Sequence, residues 1–214
     1  MQTPKPADDP TDVALPAGTP AAAVGARPSP LARAGRALRN EIEHLNVRLT
    51  LANALAALLP HLCFCRVRTA IYRAAGFRIG PRSLFFGKIH LTGPGRIQDR
   101  LVIGADTMVN AHCFFDLSGP ITLGDRVSIG HHVHFVTAEH ETGPAALRAG
   151  PMHPRPIRIE DGSWLAAGVT ILPGVTIGCS SIVAAGSMVS GSVPPHRVVG
   201  GNPARPLRAL PETP

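Results

Sequence analysis

A six-residue periodicity over residues 159–193 restricts the fold of this chain more than any other feature. An aliphatic residue opens each block, and a small or β-branched residue follows four positions later. The opening residues are Ile159, Leu165, Ile171, Ile177, Val183 and Val189, and the followers are Ser163, Val169, Val175, Ser181, Ser187 and Val193. A period of six fits neither an amphipathic helix nor an alternating strand, and it predicts a solenoid with three blocks per coil. Both series should point into the shaft, with Gly and Asn-like residues at the corners.

The same period occurs less regularly upstream. Apolar residues recur every six positions at Phe85, Leu91, Ile97, Ile103, Val109, Phe115 and Ile121. The register then slips by two near residues 116–120 and resumes at Leu123. Residues 137–156 interrupt the repeat with Gly, Pro and charged residues, which predicts a loop inserted into the solenoid. Loops of this kind often carry functional residues. The pair Pro194–Pro195 is expected to end the repeats.

The N-terminal part differs in composition. Residues 1–30 are rich in Pro, Ala, Thr and Asp and are predicted to be disordered. Residues 31–76 form a predicted helical segment, in which an apolar stripe indicates a helix over residues 33–59 that Pro60 terminates. No run of about twenty uncharged residues occurs, which argues against a membrane-spanning helix. Two interpretations of this segment stay open: a cap on the end of the solenoid, or a peripheral contact with a membrane surface.

Composition and charge limit the partners. The formal net charge is +7 and the isoelectric point is about 10.2, but the Arg residues are scattered, so we expect no nucleic acid partner. An anionic membrane or a phosphorylated ligand accounts for the charge equally well. Cys63 and Cys65 lack a second pair at zinc-finger spacing, so no metal site is expected. The first residues do not resemble a signal peptide, so the predicted location is cytoplasmic, with the inner face of the cell membrane as the peripheral alternative.

Four sequence motifs extend the argument beyond a shared period. They are TAEH at 137–140, LRAGPM at 147–152, PIRIEDGSWLAAGVTILPGVTIG at 156–178 and VPPHRVVGGNPARPLR at 193–208. Together they resemble the hexapeptide-repeat acyltransferases, closest to the maltose, galactoside and nodulation-type sugar O-acetyltransferases and their exopolysaccharide relatives. The resemblance covers residues 103–208. It implies a mainly β, single-stranded left-handed parallel β-helix over residues 77–193, with the tail 194–214 contributing to CoA binding. It also implies acetyl-CoA as donor, a glycan or other small acceptor, and a homotrimer with active sites between subunits.

The resemblance also assigns the reaction. It implies that His140 is the general base, which removes the proton of an acceptor hydroxyl so that the oxygen attacks the thioester of acetyl-CoA directly. An imidazole titrates near pH 6.5 and is therefore suited to this role at neutral pH. Acceptor-binding positions by the same resemblance are Asn110, Asp116, His112 and Glu139, whose polar groups suit sugar hydroxyls.

The donor side is assigned in the same way. The resemblance implies that Trp164, predicted at a solenoid corner, packs against the pantetheine arm, and that the N–H of Ala167 stabilises the oxyanion. Small residues at Ala185 and Ser190 would leave room for CoA. Arg205 and Arg208 would contact its phosphates, for which a guanidinium is well shaped.

Three alternatives remain. The first is a metal site like that of the gamma-class carbonic anhydrases, which share the fold and bind zinc through histidines. The candidate ligands are His131, His132, His134 and His140, but no pair of histidines in this chain has the five-residue spacing of the paired histidines in those enzymes. A non-catalytic β-helix scaffold is the second alternative. The third is transfer to an antibiotic, an amine or serine, which the loop at residues 141–155 would decide. No phosphate-binding or dinucleotide-binding glycine motif is present.

Overall fold

The computed structural model describes residues 46–212, which form a three-sided parallel β-helix preceded by two helices. Helix α1 spans Val47–Ala57 and helix α2 spans Cys65–Ala74. The prediction of disorder for residues 1–30 and the first part of the helix predicted over residues 33–59 lie outside the described residues. Among the described helices, none combines the length and the apolar character needed to cross a bilayer.

Most strands of the solenoid are two or three residues long. They are β1 (Arg78–Ile79), β2 (Leu84–Phe85), β3 (His90–Thr92), β4 (Leu101–Ile103), β5 (Met108–Val109), β6 (Phe114–Asp116), β7 (Ile121–Leu123), β8 (Ser128–Ile129), β9 (His134–Phe135), β10 (His140–Thr142), β11 (Ala149–Met152), β12 (Ile157–Ile159), β13 (Trp164–Leu165), β14 (Thr170–Ile171), β15 (Thr176–Ile177), β16 (Ile182–Val183), β17 (Met188–Val189), β18 (Arg197–Gly201) and β19 (Ala204–Ala209).

Successive strands visit three sheets in turn, which are the three sides of the solenoid. Side 1 has the order β1-β4-β7-β12-β15, side 2 the order β2-β5-β8-β13-β16-β18-β19 and side 3 the order β3-β6-β9-β14-β17. Within the regular repeat, paired residues are 18 apart in sequence, as in Leu165 with Val183. The mainly β, parallel β-helix architecture predicted from the six-residue period is therefore confirmed.

The shaft contains the side chains that the period predicts. Both series in residues 159–193 are buried throughout, including the three serines among the followers. The serines are hydrogen-bonded, so their burial is tolerated: the Ser163 hydroxyl donates to the Gly178 carbonyl over 3.0 Å, and the Ser181 hydroxyl donates to the Pro194 carbonyl over 2.9 Å. Lower in the shaft, the rings of Phe115 and Phe135 stack with centroids 4.7 Å apart.

The structure corrects the repeat at two places. Ile97, which falls on the six-residue period, lies in a 3-10 helix (Ile97–Arg100) between β3 and β4, although its side chain is buried like those of the period. The solenoid also extends past Pro194–Pro195, because Val198 and Val199 of β18 pair in parallel with β16. Strand β19 then turns back and pairs antiparallel with β18. A Pro pair can therefore occupy a corner without ending the stack.

The two helices pack on the N-terminal end of the solenoid. Leu49, Ala52 and Ala56 of α1 join the same buried cluster as the first coil. The ring of Tyr72 in α2 meets Phe85 edge-on, with centroids 5.4 Å apart. Burial raises the pKa of Tyr72 to about 12, in spite of the opposing charge of the neighbouring arginine, so this phenol is neutral at physiological pH.

Candidate active site

The inserted segment at residues 137–156 is a β-hairpin that projects from the solenoid. Strands β10 and β11 pair antiparallel, with His140 opposite Met152. At the base of the hairpin, the His153 N–H donates to the Glu139 carbonyl over 2.7 Å and the Arg155 N–H donates to the Thr137 carbonyl over 2.9 Å. His140 is therefore held on a paired strand instead of a free loop.

The ring of His140 is oriented by a backbone carbonyl. Its Nδ1 lies 2.8 Å from the carbonyl oxygen of Gly150 on the facing strand. A carbonyl oxygen can only accept, so Nδ1 must carry the proton of this hydrogen bond. The neutral ring then presents the lone pair of Nε2, and because the residue is exposed this atom can meet a ligand.

Asp116 lies directly beneath the hairpin. Its carboxylate accepts hydrogen bonds from the Ser118 N–H at 3.0 Å, the Ser118 hydroxyl at 2.7 Å, the Thr137 N–H at 2.9 Å and the Ala138 N–H at 2.7 Å. Burial by itself would raise the pKa of Asp116, but these hydrogen bonds outweigh it and hold the pKa below its usual range. The carboxylate is buried and occupied by protein donors, and its predicted contact with the acceptor stays a prediction.

An Arg–Glu ion pair and a His–Glu contact link side chains in the outer part of the hairpin. Arg155 Nη1 lies 3.1 Å from Glu139 Oε2, and His153 Nε2 lies 2.9 Å from Glu141 Oε1. All four side chains are more than half exposed or nearly so, and exposed pairs of this kind contribute little to stability. Glu139 points to the surface next to His140, and its predicted role toward the acceptor stays a prediction.

Asn110 and His112 lie together at the corner between sides 2 and 3. The Asn110 Nδ2 donates to the Ile129 carbonyl over 3.0 Å, so the amide oxygen is left as the acceptor of this side chain. His112 has a positive φ of 62° at the corner itself. These two predicted acceptor-binding residues are therefore neighbours, flanking Ala111.

A cluster of imidazole rings surrounds His112. Its ring stacks on that of His132 with centroids 5.1 Å apart, and the rings of His61 and His90 lie 5.2 Å and 6.4 Å away. Burial, followed by the charges of these neighbours and of His131, lowers the pKa of His112. Within residues 46–212, no group of three or more His, Cys, Asp or Glu side chains has the geometry to hold a metal ion. Of the four histidines that the sequence analysis grouped, His132 stacks in this cluster, whereas the contributions of His61 and His90 were not visible in the sequence.

Trp164 was predicted at a corner, and the structure corrects this position. It is the first residue of β13 on side 2, where it pairs with Ser128 and Ile182 and points outward next to the inward Leu165. In two-residue strands, one residue faces the shaft and its neighbour faces outward. The indole is half exposed and covers part of side 2.

Ala167 and Ala185 stack on one corner, a coil apart. Each precedes a glycine with positive φ, and these glycines lie against each other, since a Cβ built on Gly168 would lie 3.8 Å from the Gly186 Cα. Within the described residues, the Ala167 N–H donates no hydrogen bond, so it is available to a ligand. The same corner carries His112 two coils below, at roughly 10 Å given the spacing of neighbouring strands.

The remaining residues predicted to contact the donor lie at the C-terminal end of the solenoid. Arg205 and Arg208 are exposed on β19, opposite Gly200 and Val198 respectively. Ser190 follows β17 on side 3, and a shallow depression joins it to Arg205 across Val199 and Pro206.

Within one protomer, the predicted residues form two groups on different edges. His140, Glu139 and Asp116 lie where side 3 gives way to side 1, because the hairpin leaves the solenoid after β9. Asn110, His112 and Ala167 lie at the corner between sides 2 and 3, with Trp164 on side 2 beside them. The general base and the oxyanion donor assigned from the sequence are thus separated by the width of side 3. The sequence did not reveal the orienting carbonyl of Gly150, although the motif LRAGPM contains it.

Comparison with known proteins places this architecture among the acyltransferases of the left-handed β-helix class. A hexapeptide-repeat-containing acetyltransferase of Vibrio cholerae, solved with acetyl-CoA, matches with 34% identity and a TM-score of 0.68 over 80% of this chain and 90% of that chain. A maltose O-acetyltransferase of Clostridium difficile matches with 27% identity and a TM-score of 0.68 over 82% of this chain and 89% of that chain. A galactoside O-acetyltransferase of Lactococcus lactis is 37% identical over 90 residues, which are 42% of this chain and 44% of that protein.

The chain belongs to the hexapeptide-repeat acetyltransferases, since a solved member at 34% identity is covered over nine tenths of its length. No family model matches the sequence. The chain spans about half the length of the curated relatives it matches. The superfamily and the left-handed β-helix that the motifs indicated are confirmed.

Proposed function

We propose that this protein transfers an acetyl group from acetyl-CoA to a carbohydrate hydroxyl, with His140 as general base. The observation that carries the proposal is the hydrogen bond from Nδ1 of His140 to the Gly150 carbonyl, which leaves Nε2 as a proton acceptor at the surface. The family supports acetyl transfer, and the maltose and galactoside enzymes among the relatives support a sugar acceptor.

In the proposed reaction, Nε2 takes the proton of the acceptor hydroxyl while its oxygen attacks the thioester carbonyl. Negative charge develops on the carbonyl oxygen, and the N–H of Ala167 stabilises it; such a donor typically contributes about 3 kcal/mol. The C–S bond then breaks, and the proton held by His140 passes to the departing CoA thiolate. No acyl-enzyme forms, so His140 returns to its starting state.

The residues on the donor side fit a CoA molecule along side 2. The exposed indole of Trp164 offers an apolar face for the pantetheine arm. The small side chains of Ala167 and Ala185 leave space for CoA at the neighbouring corner of the solenoid. Arg205 and Arg208, exposed on β19, supply positive charge for phosphates at the end of the solenoid.

The active site of this proposal needs two copies of the chain. His140 and Ala167 lie at different edges of one protomer, so a neighbouring copy must bring its hairpin to the corner of the first. A homotrimer with three such contacts satisfies this requirement for every copy.

A thiol-release assay tests the proposal. The full-length protein is incubated with acetyl-CoA and a panel of sugars and glycosides, alongside amine and antibiotic acceptors. We expect CoA release that depends on a sugar acceptor and that falls by at least about a thousandfold in His140→Ala. His153→Ala is the matched control, because His153 lies on the same hairpin but pairs with Glu141 instead of Gly150.

Three outcomes would contradict the proposal. Equal loss of activity in the two variants would mean that the hairpin, and not the base, is required. Release with amines or antibiotics but no sugar would reject the carbohydrate acceptor. No release, together with no binding of acetyl-CoA, would leave the β-helix as a scaffold.

A further inference from the structure

The helical segment at the N-terminal end of the solenoid exposes an unusual amount of apolar surface. Seven of the twelve exposed large hydrophobic residues of the described chain lie in the 21 positions from 47 to 67. They are Val47, Leu51, Leu55, Leu58, Leu62, Phe64 and Val67. Concentrations of this kind mark interaction surfaces more often than scattered apolar residues do.

Helix α1 has two apolar faces, and only one of them packs on the protein. The buried face consists of Leu49, Ala52 and Ala56. The exposed face is a second stripe, with Val47, Leu51 and Leu55 at steps of four residues, and Leu58, the residue just after the helix, continues it. An amphipathic helix that only caps a solenoid needs the first face alone, so the fold of residues 46–212 does not account for the second face.

The connection between α1 and α2 is built so that it presents further apolar side chains. Leu62 and Phe64 have positive φ values of 64° and 51°, which bulky residues rarely adopt. The two residues remain 68% and 61% exposed, so backbone hydrogen bonds, from the Leu62 N–H to the Phe86 carbonyl and from the Arg68 N–H to the Phe64 carbonyl, hold this conformation instead of side-chain packing.

A buried arginine holds this connection in place. Arg68 donates to the carbonyls of Leu59, Pro60 and Cys63 at 3.0, 2.8 and 3.3 Å, and to that of Phe85 at 3.0 Å. Its guanidinium is fully buried, and it forms no ion pair within residues 46–212. The apolar connection is therefore fixed to the first coil by a positive charge that the described protein leaves without a counter-ion.

The segment that carries this surface has charged residues of one sign, and two of its basic residues, Arg82 and Arg96, are paired with Asp106 and Asp99. From residue 46 to residue 98 the sequence has no Asp or Glu, and its basic residues are Arg48, Arg66, Arg68, Arg73, Arg78, Arg82, Lys88 and Arg96. Arg48 and Arg66 are exposed in α1 and α2 and take part in no ion pair of the described chain. Arg48 also lines an apolar groove between the two helices, next to Leu51, Leu55 and Ile71.

We propose that the exposed face of α1 and its connection to α2, from Val47 to Val67, binds the surface of an anionic lipid bilayer. Leucine and phenylalanine side chains enter the interface between headgroups and acyl chains, and Arg48 and Arg66 contact the phosphates. A second copy of the chain is the less suitable occupant, because two such faces would bring together positive charges that no acidic residue of the segment balances. Acetyl transfer itself does not depend on this contact.

Cosedimentation with vesicles tests the proposal with the full-length protein. The vesicles are phosphatidylcholine alone, or phosphatidylcholine with about 30% phosphatidylglycerol, which gives an anionic surface. We expect binding to the anionic vesicles only, and weaker binding at high salt because the Arg contribution is screened.

Two double variants separate the apolar and the charged contributions. Leu62→Asn/Phe64→Asn removes two apolar side chains, and Asn adopts positive φ readily, so the fold should be kept or stabilised. We expect the partition coefficient to fall at least about tenfold, because each side chain loses its burial in lipid. For Arg48→Gln/Arg66→Gln we expect the partition coefficient to fall by about tenfold or more, because two positive charges near the lipid phosphates are removed. The matched control Arg126→Gln/Arg158→Gln removes the same charge from the solenoid and should bind as the wild type does.

Three results would overturn the proposal. The first is equal binding to neutral and anionic vesicles, or none to either. The second is wild-type binding by Leu62→Asn/Phe64→Asn. The third combines two observations: the wild type does not bind vesicles, and light scattering shows a changed molar mass for Leu62→Asn/Phe64→Asn. That result would assign the face to a contact between copies of the chain.

Discussion

At the scale of single residues, the carboxylate of Asp116 connects the solenoid to the hairpin that carries His140. It binds the N–H groups of Thr137 and Ala138, the residues at which the chain leaves the coil, two to three positions before His140. A buried carboxylate with this many donors is costly to alter, because each donor would be left unsatisfied. We therefore propose that Asp116 positions the hairpin, in addition to the acceptor contact predicted from the sequence.

Asp116→Asn distinguishes these two functions. The asparagine amide would turn an N–H group toward one set of N–H donors. We therefore expect the free energy of unfolding to fall by about 1–3 kcal/mol. We also expect kcat to fall at least tenfold, with the KM for acetyl-CoA unchanged. Asp99→Asn is the control, since Asp99 lies in an exposed pair with Arg96. A variant that raises only the KM for the acceptor, with unchanged stability, would assign Asp116 to acceptor binding instead.

The pH dependence of stability offers a second readout of the same residue. The pKa of Asp116 is lowered in the folded protein, so its contribution is present above the unfolded pKa of about 3.9 and is lost as the pH falls through the lower folded value. Asp116→Asn should therefore be less stable than the wild type at neutral pH, and the difference should shrink in acid below about pH 4. Urea unfolding across this range would show a constant difference if the carboxylate did not titrate there.

At the scale of elements, the β10–β11 hairpin determines where His140, the proposed general base, points. Gly150 supplies the carbonyl that orients the ring of His140, and it packs against the facing strand. A Cβ at this position would lie 2.9 Å from the carbonyl oxygen of Glu141, so any larger residue must shift the backbone. The glycine in the motif LRAGPM is thus required by the close approach of two strands.

Gly150→Ala should impair catalysis more than folding. The displaced carbonyl would misplace His140 by a fraction of an ångström to an ångström, and misplacement on this scale can cost about a hundredfold in rate. We expect a fall of ten- to a hundredfold in kcat, with unchanged KM for acetyl-CoA and a melting temperature close to that of the wild type. Wild-type kcat in a variant that carries the methyl group would show that this carbonyl does not orient the base.

At the scale of the whole molecule, the two halves of the candidate site lie on different edges of one protomer. His140 is placed by the hairpin after β9, whereas Ala167 lies at the corner after β13. An oligomer in which each copy contributes one half follows directly from the proposed reaction.

Complementation between two inactive variants tests this arrangement. His140→Ala removes the base, and Ala167→Pro removes the N–H that would stabilise the oxyanion. A proline precedes a glycine of positive φ at Pro173–Gly174, so this solenoid already accommodates that pair at a corner. Each variant alone should lose at least a hundredfold in kcat, and co-expressed chains should regain a substantial fraction of wild-type activity. Absence of any recovery in mixed oligomers, verified by two affinity tags, would place the complete site within one chain.

The sequence alone determined the coil and the residues of the shaft, and its motifs indicated the family to which the chain belongs. In the regular repeat, each side of the solenoid stacks residues 18 positions apart, so a period of six fixes which side chains are buried, as Leu165, Val183 and Ser181 illustrate. The motif around His140 was likewise readable, because it combines a break in the period with a histidine.

Only the tertiary structure decided what lies outside the period. Asp116 is hydrogen-bonded to residues of the hairpin that follow it by 21 and 22 positions in sequence. Arg68 is hydrogen-bonded to Pro60, which precedes it in the chain, and to Phe85, which follows it. Trp164 lies on a side instead of a corner because, as the first residue of β13, it pairs with Ser128 and Ile182 in the strands on either side. These contacts depend on how insertions and helices meet the regular coils in space. A repeat pattern describes each coil with its neighbour above and below, and it contains no information about segments that leave the stack.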